Sequence, residues 1–464
     1  MKRRRFRAAY VSISVVVLGL TLSAFRHTDY LTFPFRNGDH MYYVATALQY
    51  TGMDYLASLQ RVAELFPDWP GLPTDLNYGF QSPSIAPLIY VRVVYPLLLA
   101  AFMGVFGAVA IYLVPALLGI LSMVLIWAVT RTHFGPGAAR FAFLVCCASS
   151  LFLRYGFGLY LESLVIPLLL LILLVIPAHT THSSWTTSRT ISSVALTVLL
   201  ALTRQMPAVP ILLAGAGYLV EVKRSKHIRN SWLIPALWIV GASTFSYFML
   251  ALWAPYDPLP YLAKYYHLSS TTALIQWIPL HYLSSLNVLG SQALRVDPFL
   301  SVLLALAVIG LRRSGNLSWL WLLVAAFAGS SVNLMLNRPE YRFLVPIVPL
   351  LLPAAAAGVN SLMNRNQQDQ PRSISARNVT FVMAAACTLA VTTVLFSIVH
   401  YAPSHERIAA YQLPTSGAGS DLVPITSQGP IECFGDDGQL WVRDDKGRRF
   451  ALSGGAMSHS FHSL

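Results

Sequence analysis

The chain has 464 residues, of which 55% are hydrophobic and only 11% charged, whereas a water-soluble domain carries about 25% charge. The apolar residues gather in blocks of the roughly 17–25 residues that a helix needs to cross a bilayer, so the sequence describes a polytopic membrane protein. The net charge of +13 comes mostly from basic residues in short loops between those blocks, a topological bias that excludes a nucleic-acid-binding face.

The opening MKRRRFRAAYVSISVVVLGLTLSAF has an apolar run long for a secretory leader and no A-x-A site after it. It predicts an uncleaved first span, residues 8–25, with its basic end in the cytoplasm. Residues 26–87 form an outer loop too long for a plain connector. Within it, MYYVATALQYTGMDYLASLQRVAELF has helical apolar spacing and predicts an amphipathic helix along the membrane surface. FPDWPGLP then ends the helix, because proline cannot continue one.

Further spans are expected at 88–106, 108–130, 138–153, 161–178, 190–203, 207–222, 231–253, 298–311, 317–336, 343–359 and 379–399. From Lys223 onward, short basic inner loops alternate with acidic, aromatic outer ones. Earlier, two full spans between Pro87 and Arg131 would place Arg131 and Arg140 outside. Either residues 88–110 hold a half-span or interfacial helix, or the early loops break the bias. Residues 401–464 form a polar tail in which QLWVRDDKGRRFAL reads as two short strands around a Lys-Gly turn. Cys146, Cys147 and Cys387 lie in apolar blocks and Cys433 stands alone in the tail, so no disulfide framework is implied.

Nearly all acids before the tail fall on the outer side, where charge beside a bilayer needs a partner or a role. The candidates are Asp39 in RNGDHMYY with Tyr42 and Tyr43, Glu162 in RYGFGLYLES, Asp257 in APYDPLPY and Glu340 in NRPEYRF. Arg92, Arg154, Arg204, Arg338 and Arg342 accompany them. A guanidinium fork grips phosphate through paired charge-assisted hydrogen bonds. A carboxylate in a partly dry site can act as a general base. Plainer readings stand beside these: Asp39 as a helix cap, Glu162 as a paired acid, Asp257 as a turn residue before proline, and Arg338 and Arg342 as interfacial anchors. The histidines show no ligand spacing, and neither a Walker loop nor G-x-S-x-G is present.

The pattern resembles the polytopic GT-C fold glycosyltransferases that use polyprenyl-phosphate-linked sugars. GDHMYYVATAL is similar to the start of their first outer loop, where a catalytic aspartate sits. YVRVVYPLLLAAFMGVFG, YGFGLYLESLVIPLLLLILL and NRPEYRFLVPIVPLLLPAAAAG resemble later outer turns of the family, and YDPLPYLAKYY its Gly-Asp-Pro loop with Tyr256 in place of glycine. His40 follows Asp39 where a second acid is usual, so neither a metal nor any other cofactor is indicated.

The resemblance implies an all-α GT-C-like bundle of about 11–13 transmembrane helices, with residues 1–400 catalytic and 401–464 an extracytoplasmic tail of the plasma membrane protein. It implies a polyprenyl-phosphate sugar donor, a lipid, glycan or protein acceptor, Asp39 as base and inversion at the anomeric carbon. The arginines would hold the phosphate, with Glu162 or Glu340 orienting sugar or arginines. Two alternatives remain, a transporter or lipid-linked glycan flippase and a non-catalytic assembly protein.

Overall fold

The computed structural model describes residues 10–21, 38–66, 89, 91–175, 186–204, 206, 208–215, 230–253, 270, 272–273, 275–276, 297, 299–335, 341–363 and five short strands between 412 and 452. These fall in two compact units, Met1–Phe25 with Tyr30–Val394, and Arg26–Asp29 with Leu395–Leu464.

The first unit is helical, as an apolar chain must be where only its own backbone can satisfy its N–H and C=O groups. After α1 (Tyr10–Thr21) come α2 (Gly38–Tyr50) and α3 (Tyr55–Leu65). The single surface helix expected here is therefore two helices. Gly52 turns the chain at φ +95, a conformation glycine takes without a Cβ penalty, and the Asp54 carboxylate accepts the Ala57 N–H at 3.1 Å to start α3. Nor does α2 have a free face of any width. Met41, Tyr43, Val44, Ala45, Ala47 and Leu48 are all buried in the main core. Only α3 keeps the amphipathic pattern, with Leu59 and Val62 inward and Leu56 exposed.

Next, α4 (Val94–Phe106) has 13 residues and reaches about 20 Å, short of the roughly 30 Å of a hydrocarbon core. Gly107, at φ +58, ends it, and α5 (Ala110–Ala139) follows with a kink at Gly135 beside Pro136. The span expected at 138–153 is also divided, into α6 (Ala142–Ala148) and α7 (Ser150–Gly156). Ser149 between them is extended, and its Oγ accepts the Phe152 N–H at 3.1 Å. A side-chain cap here competes with helix continuation.

The unit continues with α8 (Glu162–Val175), α9 (Thr187–Thr203), α10 (208–215), α11 (Asn230–Trp253), α12 (Leu300–Ser314) and α13 (Leu317–Met335). A 3-10 segment, Tyr341–Ile347, leads into α14 (Val348–Met363). Among the described residues, Val94–Ala139 and Arg342–Met363 are long and apolar enough to cross a membrane, and five shorter apolar helices accompany them. The span expected at 379–399 lies outside the described residues.

Helix α14 is central, buried from Val348 to Gly358 and packed on α12 and α5. A Cβ on Gly310 would strike the Ala354 carbonyl, and one on Gly358 the Leu306 carbonyl. The close crossing of α12 and α14 thus depends on two glycines. Trp319 of α13 closes the bundle, its Nε1 donating to the Leu350 carbonyl at 2.8 Å beside the ring of His133. Large apolar side chains, among them Val105, Ile120, Val124, Trp238 and Phe248, remain exposed, a surface suited to hydrocarbon rather than water.

The second unit holds two antiparallel sheets, β1 (Gln412–Pro414) with β2 (Leu422–Pro424), and β3 (Glu432–Asp436), β4 (Gln439–Arg443) and β5 (Arg449–Leu452) in that order. Strands β4 and β5 set Trp441 opposite Ala451 and Val442 opposite Phe450. Strand β3 adds a partner that the sequence reading did not include.

Candidate active site

Two guanidinium groups meet where α8, α9 and the 3-10 segment have their ends. Arg204 terminates α9, its backbone extended and its N–H still bonded to the Leu200 carbonyl at 2.8 Å. Its side chain forms an ion pair with Glu162, the first residue of α8. Arg204 and Glu162 are only 7% and 3% exposed, so the attraction operates in a medium that screens it little. Glu162 is thereby placed to hold a guanidinium.

The guanidinium carbon of Arg204 stands 5.3 Å from the centroid of Phe343, and that of Arg342 stands 5.8 Å from the same ring. A buried aromatic face attracts cations through its quadrupole, so Phe343 brings both arginines to one place. Arg154 occupies the last turn of α7 with its guanidinium 5.5 Å from the Tyr155 ring, and α7 packs on the 3-10 segment. Arg92 has a different partner. It donates to the Tyr43 hydroxyl at 2.7 Å, while the Tyr43 ring meets Tyr95 edge-on at 6.2 Å.

Asp39 is the second residue of α2; its side chain lies outside the described residues, as do Arg338, Glu340 and Asp257. Tyr42 is half-buried. Among the expected residues the fold therefore joins Glu162 to Arg204, Arg204 to Arg342 through Phe343, and Arg92 to Tyr43.

Sequence reasoning missed three things. Phe343 carried no signal beyond following an arginine. The ring series His40, Tyr160 and Tyr155 is buried, with centroids 4.4 Å apart for the first pair and 4.8 Å for the second. Asp297, 1% exposed, accepts the Leu151 N–H at 3.3 Å and the Phe299 N–H at 3.2 Å. It thus ties the start of α12 to the start of the short helix that carries Arg154. Its position before Pro298 gave no hint of that reach.

A small pocket of about 10 Å³ lies between α9 and α11, lined by Leu200, Met206, Tyr247 and Leu250 together with Arg204. No cluster of three His, Cys, Asp or Glu side chains suited to a metal occurs among the described residues. The arrangement can bind an anion with the two guanidiniums that share the Phe343 ring.

No protein-family model matches the chain, and no curated protein matches it. Among solved structures it is similar to the crystal structure of ArnT from Cupriavidus metallidurans bound to undecaprenyl phosphate. The two are 15% identical, the match covers 86% of this chain and 71% of that one, and the TM-score is 0.44.

Proposed function

We propose that the chain is an integral membrane glycosyltransferase that moves a sugar from a polyprenyl-phosphate donor to an acceptor hydroxyl at the extracytoplasmic face. The observation that supports this reading best is the pairing of Arg204 with Glu162 and its convergence with Arg342 on Phe343. Two guanidiniums against one carboxylate in an apolar bundle suit a lipid-borne phosphate.

In this mechanism Arg342 and Arg204, helped by Arg154, grip the phosphate and stabilise the charge that grows on it as the glycosidic bond breaks. Asp39 removes the proton of the acceptor hydroxyl, which attacks the anomeric carbon from the opposite side and inverts it. Glu162 keeps Arg204 aimed. The donor reaches the site from the outer leaflet of the plasma membrane, and the acceptor is a lipid, glycan or protein carrying a free hydroxyl.

The test is transfer from a panel of radiolabelled polyprenyl-phosphate sugars in membranes holding equal amounts of wild type or Asp39→Asn. Loss of a general base lowers transfer by about 10²–10⁴-fold, and that is the expected result with one donor of the panel. Undiminished transfer by Asp39→Asn would remove Asp39 from the mechanism.

A further inference from the structure

We infer that the buried ring pair of His40 and Tyr160 is the joint that sets Asp39 against the guanidinium cluster, which makes His40 a positioning residue. The inference rests on the reading of Asp39 as the base.

His40 is 0% and Tyr160 2% exposed, and their rings lie 4.4 Å apart at 39°. Tyr160 in turn lies 4.8 Å from Tyr155. The Tyr160 ring is also confined from behind. Any Cβ on Gly158 would run into it and into the Arg154 carbonyl, so the α7–α8 turn closes around the ring with no slack. Three rings on three segments therefore stack in series, and each sits one or two residues from a charged group. His40 adjoins Asp39, Tyr155 adjoins Arg154, and Tyr160 precedes Glu162 by two residues.

Within a helix, neighbouring residues keep a fixed rise and rotation. Clamping His40 therefore clamps the first turn of α2, where Asp39 stands. The geometry assigns the imidazole a role through its shape and packing, with proton transfer left to the neighbouring carboxylate. A ring used only as core filler would affect stability without favouring the chemical step over binding. A positioning ring would affect the chemical step selectively, because a displacement of about 1 Å at a reacting group costs up to 10²-fold in rate.

The experiment compares wild type, His40→Ala, His40→Phe, Asp39→Asn and the Asp39→Asn/His40→Ala double variant as purified full chains. It uses the donor that the wild type transfers best, with undecaprenyl phosphate as the binding probe. His40→Ala is expected to lower kcat roughly 10–100-fold, with KM and undecaprenyl phosphate affinity within about twofold of wild type. His40→Phe, which retains a ring and guards against a folding defect in the alanine variant, should restore kcat to within about threefold with an unchanged pH profile. The double variant should be no slower than Asp39→Asn alone, because the two residues act as one unit.

Wild-type kcat in His40→Ala would overturn the inference, as would additive losses in the double variant. His40→Phe as slow as His40→Ala would also overturn it and point to imidazole chemistry. Full transfer by Asp39→Asn would instead sink the underlying reading. An inactive Asp39→Asn beside a fully active His40→Ala would defeat the positioning role alone.

Discussion

Glu162 and Arg204 each lose several kcal/mol of hydration on burial, and only their mutual attraction and hydrogen bonding offset that loss. Removing one partner is therefore worse than removing both. Glu162→Ala should lower stability by about 3–5 kcal/mol, while Glu162→Leu combined with Arg204→Met should recover most of it. Denaturation in detergent measures this, and a double variant as unstable as the single one would show that the pair is not the cause. Transfer should be lost in the double variant, which removes Arg204 from the proposed phosphate site, and lowered in Glu162→Ala, which leaves Arg204 without the carboxylate that aims it. The sequence made Glu162, Arg204 and Arg342 legible as rare charges among apolar blocks. Their association was not legible, because it depends on Phe343 and on three helix ends that are remote along the chain.

At the scale of elements, the α12–α14 crossing brings backbone against backbone at Gly310 and Gly358. Gly358→Ala should destabilise the bundle by about 1–3 kcal/mol through overpacking. Gly104→Ala in α4, where nothing lies within 4 Å of a new Cβ, should be neutral or stabilising by up to about 1 kcal/mol. Melting temperatures of the two variants in one detergent give the comparison, and equal shifts would refute the packing argument. The breaks have mixed legibility. Gly52 and Gly107 mark two of them with the residue that positive φ requires. The break at Ser149 falls in CCASS, which carries neither glycine nor proline, and the serine cap that makes it is a matter of local competition. Burial of α2 on nearly every side was concealed for another reason. Its tyrosines and threonine look polar in a helical projection, yet the fold closes over Tyr43 and Thr46.

For the whole molecule, the basic inner loops predict a cytoplasmic N-terminus and an extracytoplasmic tail. Cys433 in β3 supplies a test, because Cys146 and Cys147 are buried and Cys387 lies in an apolar block. A membrane-impermeant maleimide applied to intact cells should label the wild type and fail to label Cys433→Ser. Labelling only after the cells are opened would reverse the orientation.

By itself the sequence determined the class of molecule, since apolar blocks of bilayer length admit little besides helices that satisfy their own backbone. It also determined which residues carry scarce charge, and, in the tail, the two segments that pair as β4 and β5. Only the tertiary structure decided which charges meet, that Glu162 answers Arg204 and that His40 stacks on Tyr160. The physical reason is that helical periodicity tells which residues share a face, whereas an ion pair or ring stack between distant segments depends on how helices break, cross and approach. Those distances follow from a glycine at a crossing, a serine cap or a buried ring, and their effect exists only once the chain has folded.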